Sequence, residues 1–142
     1  MIDVRSKQPD LEVSIFAVMS RMAREAGAIN LSQGFPDFDV PAELTDRVHF
    51  YMKKGYNQYA PMPGVPALRE ELAEKTAVLY ERQYHPENEI TVTAGATEAL
   101  FSAITAFVHP GDEVIVFEPW YDAYVPVIEY NGGRARFIQL VY

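Results

Sequence analysis

The segment 91–100, which reads TVTAGATEAL, is the strongest single candidate in the chain for residue types and spacing that could do chemistry. In this segment a short apolar run is followed by a turn of small residues, and a helical pattern begins immediately after the turn. The first N–H groups of a helix have no acceptor within it, and in open α/β sheets such groups lie at the carboxyl edge, where ligands bind. Gly95 and Ala96 leave room for an anion at the backbone, and the Thr97 hydroxyl adds a donor.

A phosphate in this turn would accept several charge-assisted hydrogen bonds, each worth about 1.5–3 kcal/mol. Neither G-x-G-x-x-G nor G-x-x-x-x-G-K-[ST] occurs in the chain, so a phosphorylated ligand other than a dinucleotide fits better. The local sequence is also compatible with a plain strand-to-helix turn whose small residues only serve packing.

A second group of candidate residues is the string EPWYDAY at 118–124, which follows a continuous apolar run. Strands that end side by side in a parallel sheet bring their following loops to one edge. Three aromatic rings, those of Trp120, Tyr121 and Tyr124, could therefore offer a flat face to a planar ligand at the edge that carries the turn. Simple packing of the rings within the loop is the alternative.

Two further loops, QGFPDF at 33–38 and NQY at 57–59, combine polar, aromatic and glycine residues next to prolines. Pro36 favours an extended conformation in the residue before it, and Gly34 permits a turn or a close backbone approach. Proline-rich loops are often only rigid connectors. The occurrence of all four segments in this order makes a functional role more plausible than any one of them does.

The elements that must position these segments are predicted from hydrophobic spacing and turn residues. Helices are expected at about 13–26, 41–54, 66–84, 96–108 and 122–130, and strands at 89–93, 113–117 and 134–140. The order β-α-β-α-β indicates an α/β domain with a parallel sheet. The helix at 96–108 is apolar nearly all round, which predicts burial between layers. The sheet has bare edges and looks incomplete, as if the sequence were cut.

Composition narrows the functional classes. The 142 residues carry a formal net charge of −8, which argues against nucleic-acid binding through phosphates. There is no cysteine, and the three histidines are widely spaced, so no metal site is expected. The N-terminal string MIDVRSKQPDLEVS lacks the apolar core of a signal peptide, and no apolar run is long enough for a membrane span. A soluble, cytoplasmic protein is the expectation.

The strings INLSQGFPDF, NQYAPMPGVPALRE, TVTAGATEAL and GDEVIVFEPWYDAY, in this order, resemble the fold-type-I (class I/II) pyridoxal-phosphate-dependent aminotransferases. The similarity is greatest to the kynurenine/glutamine and methionine aminotransferase branch, and it runs from about residue 14 to the end. It implies an α/β fold with a three-layer PLP-transferase-like large domain, represented by residues 41–142. Residues 1–40 would form an N-terminal segment belonging to the small domain and the substrate loop.

The resemblance also assigns cofactor contacts. Gly95, Ala96 and Thr97 match the positions that hold the phosphate of pyridoxal 5'-phosphate, and Tyr121 matches the aromatic residue that stacks on its ring. Tyr59 matches a tyrosine that reaches into the active site of the partner subunit. The resemblance therefore implies a homodimer, with amino acids and 2-oxo acids as small-molecule partners.

Substrate contacts follow from the same resemblance. Gly34 matches a backbone contact to the substrate, and Phe35 and Phe16 are candidates for the apolar wall of the pocket. The implied reaction is transfer of an amino group from a bulky neutral amino acid, such as methionine, glutamine or an aromatic amino acid, to a 2-oxo acid.

The Schiff-base lysine of that family has no counterpart here, because all four lysines precede the phosphate turn: Lys7, Lys53, Lys54 and Lys75. A polypeptide of these 142 residues is therefore expected to be inactive and, with so apolar a fourth helix, prone to aggregate. Three alternatives stay open: a non-catalytic remnant that binds a partner or a phosphate ligand, a parent carbon–sulfur β-lyase, and a nucleotide-dependent oxidoreductase, which the missing glycine fingerprint disfavours.

Overall fold

The computed structural model describes residues 5–9, 11–34 and 36–141, and this part of the chain forms five helices and two strands. Their bounds in chain order are α1 (Ile15–Glu25), α2 (Ala42–Lys53), α3 (Pro66–Tyr80), α4 (Ala96–Phe107), β1 (Glu113–Glu118), α5 (Tyr124–Tyr130) and β2 (Arg134–Gln139). The predicted α/β class with a parallel sheet is confirmed, since β1 and β2 pair in parallel.

The β1–α5–β2 unit contains the most deeply buried side chains. Val116 of β1 is 5% exposed, and Ile128 of α5 is 1% exposed. The strands pair with Glu113 opposite Arg134, so Val116 lies opposite Phe137. Apolar residues on β1 and on one face of α5 thus form a small core that fixes where the carboxyl end of β1 lies.

Glycine allows α5 and β2 to join without a clash. A Cβ added to Gly133 would lie 2.6 Å from Cγ1 of Val108 and 3.0 Å from Cγ2 of Ile128. The backbone N–H of Arg134 then donates to the carbonyl of Asp112 at 2.7 Å, at the beginning of the two strands. The string NGG after α5 is thereby explained by close packing as well as by the turn.

An exposed ion pair links the two strands at the end where they begin. Arg136 of β2 donates through Nε to the carboxylate of Glu113 at 2.9 Å, and through a second guanidinium nitrogen to the same oxygen. This hydrogen bond, with the positive charge of the guanidinium, lowers the pKa of Glu113 and raises the pKa of Arg136. The pair therefore favours the observed register of the sheet.

The predicted strand at 89–93 is wrong. The chain turns at 86–89 and runs without regular structure from 90 to 93, where the N–H of Val92 donates to the carbonyl of Pro63 at 2.9 Å. A strand requires a neighbouring strand to complete its hydrogen bonds, and here the partner is a loop carbonyl. The sheet of the described residues accordingly has two strands instead of the three expected.

The helices are confirmed, with small differences at their ends. Helix α3 ends at Tyr80 and not near residue 84, because Glu81 adopts a left-handed conformation (φ 54°). Helix α5 begins at Tyr124, after a turn at 122–123. Within the ranges that the structure describes, no helix has both the length and the apolar character of a membrane span.

Burial of α4 between layers is not observed. None of its residues is buried, and Phe107 is 79% exposed. Among the described elements α4 packs against α5 alone, through rings of Phe101 and Tyr130 whose centroids are 5.8 Å apart. The apolar faces that the sequence pattern assigns to the interior are thus uncovered in this chain.

The contacts divide the chain into two compact units. One comprises Met1–Phe35 with Ala94–Tyr142, and the other comprises Pro36–Thr93. The first unit contains α1, α4 and the parallel sheet, and the second contains α2 and α3. The assignment of residues 1–40 and 41–142 to different domains stays a prediction.

Candidate functional site

The turn before α4 has the backbone geometry that an anion site needs. Gly95 is the N-cap residue, with φ 95° and ψ 169°, and nothing lies within 4 Å of the position that a Cβ would take there. Because the N-cap residue is a glycine, it has no side chain that could cap the helix. The first N–H groups of a helix also lack acceptors within the helix. An anionic oxygen can therefore approach the backbone from the open side of Gly95, beside the exposed hydroxyl-bearing Thr97.

A carboxylate shapes the other side of this turn. The side chain of Glu98, in the first turn of α4, accepts a hydrogen bond from the N–H of Ala94. This contact satisfies one donor just before the helix and leaves the donors of the first turn to other acceptors. The motif GATE at 95–98 therefore contains both a turn that is open to an anion and Glu98, which fixes the residue before that turn by a hydrogen bond.

The aromatic loop begins where β1 ends, and the peptide bond between Glu118 and Pro119 is cis. Trp120 stacks on Phe137 of β2 with ring centroids 6.2 Å apart. Tyr121 instead meets Tyr124 edge to face at 5.8 Å and stays 42% exposed. Trp120 thus packs on the sheet, yet both rings keep exposed surface, 38% for Trp120 and 42% for Tyr121.

A groove of about 1000 Å³ brings the turn and the aromatic loop together. Thr97 lines it, together with Trp120 and Asp122, the residues on either side of Tyr121, whereas Tyr121 itself, Gly95 and Ala96 are not among the lining residues. The remaining lining is mostly apolar and comes from the N-terminal segment, from α1, α4 and from α5 with its preceding turn. Its size is in the upper range of small-molecule sites, and Gln8, Glu12 and Ser14 add polar groups along one side.

The outer wall of this groove is the N-terminal strap, defined as residues 7–9 and 11–14. Three contacts hold the strap against the segment 122–130. The ammonium of Lys7 lies 4.6 Å from the ring centroid of Tyr130, and Nε2 of Gln8 donates to the carbonyl of Pro126 at 2.5 Å. The hydroxyl of Ser14 donates to the carboxylate of Asp122.

Of the three residues predicted to contact substrate, two can be located. Gly34 follows a turn that Asn30 organises, because its side-chain oxygen accepts from the N–H and the hydroxyl of Ser32 at 3.1 and 2.6 Å. Phe16 lies half-buried on α1 and is not among the residues that line the groove, to which α1 contributes Ile15 and Val18. Phe35 lies outside the described residues.

Tyr59 belongs to the unit Pro36–Thr93, where its side chain is fully exposed. The loop after it is held by Arg69, which is 6% exposed and donates to the carbonyls of Gly64 at 3.1 Å and Pro86 at 2.7 Å. Gly64 has φ 104°, and a Cβ there would lie 2.7 Å from Cγ2 of Val92. A tightly packed loop thus follows the exposed tyrosine.

Several residues of the site were missed in the sequence. Glu98 could have been found as an acid in the first turn of a helix, and Ser14 as a residue type that caps helices. Asp122 carries no such local indication, because its partner Ser14 is 108 positions away. The described residues contain no group of acids and histidines that could hold a metal ion.

Known proteins give a consistent comparison. The family profile "Aminotransferase class I and II" matches residues 26–141. The methionine aminotransferase of Escherichia coli is 57% identical over 136 residues, which cover 96% of this chain and 35% of that protein. A probable N-succinyldiaminopimelate aminotransferase of Mycobacterium tuberculosis is 41% identical over 128 residues, covering 90% of this chain and 32% of that protein.

The fold agrees as well. A crystal structure from E. coli, described as identifying a methionine aminotransferase function, superimposes with a TM-score of 0.92 at 52% identity and covers 99% of this chain and 37% of that one. The chain thus spans about a third of the length of the relatives it matches. Class I and II aminotransferases depend on pyridoxal 5'-phosphate, and their PLP-transferase fold is the one predicted from the sequence. The chain belongs to the class I and II aminotransferase family.

Proposed function

We propose that the protein that carries this chain transfers an amino group from a bulky neutral amino acid to a 2-oxo acid, as a cytoplasmic homodimer. The observation that carries the proposal is a groove in a chain of this family. Thr97, two residues after the open turn at Gly95, lines this groove together with Trp120 and Asp122, the neighbours of Tyr121. When bound, pyridoxal 5'-phosphate supplies the electron sink for the reaction. The residues of this chain bind and orient it.

The cofactor phosphate fits the turn on physical grounds. The N–H groups of Ala96 and Thr97, with the Thr97 hydroxyl, form a donor set at the positive end of α4, directly after the turn at Gly95. The positive φ of Gly95 and the empty space beside it allow an oxygen to approach the backbone closely. Tyr121 then offers its exposed surface to the pyridine ring, and Tyr59 would contact the site of a partner subunit.

The groove supports a neutral substrate side chain. Apolar residues dominate its lining, and its charged residues are the acids Glu12 and Asp122, with no lysine or arginine among the lining residues. An acidic substrate side chain would therefore meet repulsion from this part of the protein, whereas a thioether, an amide or an aromatic ring would be accommodated. Gly34, Phe16 and Phe35 would complete the substrate end.

The test uses the full-length protein, loaded with pyridoxal 5'-phosphate. L-Methionine, L-glutamine and L-phenylalanine are compared with L-aspartate as amino donors against a panel of 2-oxo acids. We expect the donor's own 2-oxo acid as product, with kcat/KM for the neutral donors at least about tenfold above that for aspartate, the factor that about 1.4 kcal/mol of repulsion gives. A preference for aspartate would contradict the groove argument, and release of ammonia in place of amino transfer would indicate a β-lyase. Absence of both cofactor binding and turnover would favour the non-catalytic alternative.

A further inference from the structure

The contact between Ser14 and Asp122 joins two parts of the groove that are distant in sequence. Ser14 is the N-cap residue of α1, where its hydroxyl oxygen accepts from the N–H of Phe16 at 3.3 Å. The same hydroxyl donates to the carboxylate of Asp122, in the turn directly after Tyr121. A single hydroxyl group therefore connects the first turn of α1 with the loop that carries the ring-stacking candidate.

The remaining strap contacts do not duplicate this connection. The contacts of Lys7 and Gln8 hold the far end of the strap against Tyr130 and Pro126. Ser14 and Asp122 hold the end where α1 begins, and both line the groove. The position of α1 along the groove wall accordingly depends on this pair.

The pair also has the right surroundings to act on substrate and not on the cofactor phosphate. Ile15 and Val18, the residues that α1 contributes to the groove, follow Ser14 within two turns of the helix. The phosphate turn at Thr97 is held separately, by the bond from Ala94 to Glu98 at the beginning of α4. Loosening α1 would therefore move the apolar wall of the groove and leave the turn intact.

We propose that Ser14 and Asp122 form a positioning pair that fixes α1 as the wall of the substrate groove, and thereby sets the affinity for the amino-acid side chain. The inference rests on the proposed function, because it assigns the groove to substrate. Asp122 touches neither the cofactor nor the reacting atoms in this assignment. Its effect on the affinity for a neutral side chain is exerted through Ser14, separately from the repulsion of an acidic one.

The experiment compares four variants of the full-length enzyme with L-methionine as donor. Asp122→Ala removes the acceptor but leaves Ser14 as the cap of α1, and Asp122→Asn keeps an acceptor oxygen. Ser14→Ala, alone and combined with Asp122→Ala, completes a double-mutant cycle. Ser102→Ala, which removes an exposed hydroxyl from α4 that makes no hydrogen bond among the described residues, is the matched control.

We expect Asp122→Ala to raise KM for methionine about fivefold, which corresponds to about 1 kcal/mol, the usual net value of a hydrogen bond. The values of kcat and of the cofactor dissociation constant should change less than about twofold, because the pair touches neither the reacting atoms nor the phosphate turn. Asp122→Asn should restore most of the affinity, the two alanine substitutions should be non-additive, and Ser102→Ala should behave as wild type.

Unchanged KM, additive effects, or a loss of cofactor affinity equal to the loss of substrate affinity would each overturn the proposal. If the wild-type enzyme transfers no amino group, the proposed function fails by itself. Hydrogen exchange of the α1 amides then decides whether the pair exists, since Asp122→Ala should speed exchange in the first turn of α1 and Asp122→Asn should not. Equal exchange in all variants would rule the pair out.

Discussion

Replacing Gly95 by alanine tests the phosphate turn directly. At φ 95° and ψ 169°, Gly95 occupies a region of backbone space that is essentially restricted to glycine. Nothing lies within 4 Å of the added Cβ, so the side chain itself would have room. The whole penalty therefore comes from the backbone, which makes the size of the effect calculable.

Strain of this kind costs about 1–3 kcal/mol. If the turn relaxes in the free protein and must return to the observed conformation to hold the phosphate, the same free energy is lost from cofactor binding. Since each 1.4 kcal/mol is about a factor of ten, Gly95→Ala should weaken binding of pyridoxal 5'-phosphate by about 5- to 150-fold.

The assay is a fluorescence titration of the apo form of the full-length protein with cofactor, alongside urea unfolding. Gly111→Ala is the matched control, because Gly111 has φ 92° and equally empty space at its Cβ but lies in the turn before β1. Because a turn that relaxes keeps no strain in the free protein, Gly95→Ala should lose cofactor affinity with little change in the free energy of unfolding, whereas Gly111→Ala should keep its cofactor affinity. Equal cofactor affinity in the two variants would refute the assignment of the phosphate to this turn.

Four further results are expected. Thr97→Val, which removes one hydroxyl donor, should weaken cofactor binding by about 10- to 150-fold in the same titration, the value of one hydrogen bond to a charged group; an unchanged dissociation constant would exclude the hydroxyl from the phosphate site. Gly64→Ala should lower the free energy of unfolding by about 1–3 kcal/mol or more, because its Cβ would lie 2.7 Å from Val92 at φ 104°. Since the pKa of Glu113 is lowered in the folded state, its ion pair stabilises the fold above pH 4.5, and this stabilisation is lost as the pH falls below that value. In urea unfolding, the free energy of unfolding of Glu113→Gln should therefore decrease less in acid than that of the wild type. A polypeptide of these 142 residues alone should bind hydrophobic dyes and form aggregates in light scattering, because the two phenylalanines of α4 are exposed, and a sharp cooperative transition of a monomer would contradict this.

The sequence predicted the helices well because their ends have local causes. Pro66 stands at the beginning of α3, and Gly27, with φ 60°, follows the end of α1. The strand at 89–93 was wrong for the opposite reason. A short apolar run becomes a strand only when a neighbour completes its hydrogen bonds, and the N–H of Val92 bonds to the loop carbonyl of Pro63.

In the candidate site, too, the features with a local cause could be predicted and those that depend on distant segments could not. The turn at Gly95 and Thr97 was recognisable because small residues and a hydroxyl at the beginning of a helix have a local meaning. The groove was not, because its walls come from the N-terminal strap and from α4 and α5, which are far apart in the sequence. The role of Asp122 could not be predicted either, because its partner Ser14 comes next to it only in the folded chain.

The acidic composition of the chain does not conflict with a phosphate site. A net charge of −8 disfavours anions over long distances, but salt screens exposed charges beyond about 8–10 Å. Two carboxylates of this region are engaged by donors of their own, since Glu98 accepts from Ala94 and Asp122 accepts from Ser14. Each carboxylate thereby orders a segment of the groove, while neutral backbone donors and the dipole of α4 remain to attract the phosphate. The acids that line the groove, Glu12 and Asp122, would oppose a negative charge on the substrate side chain, so a phosphate at the turn is compatible with an uncharged side chain in the groove.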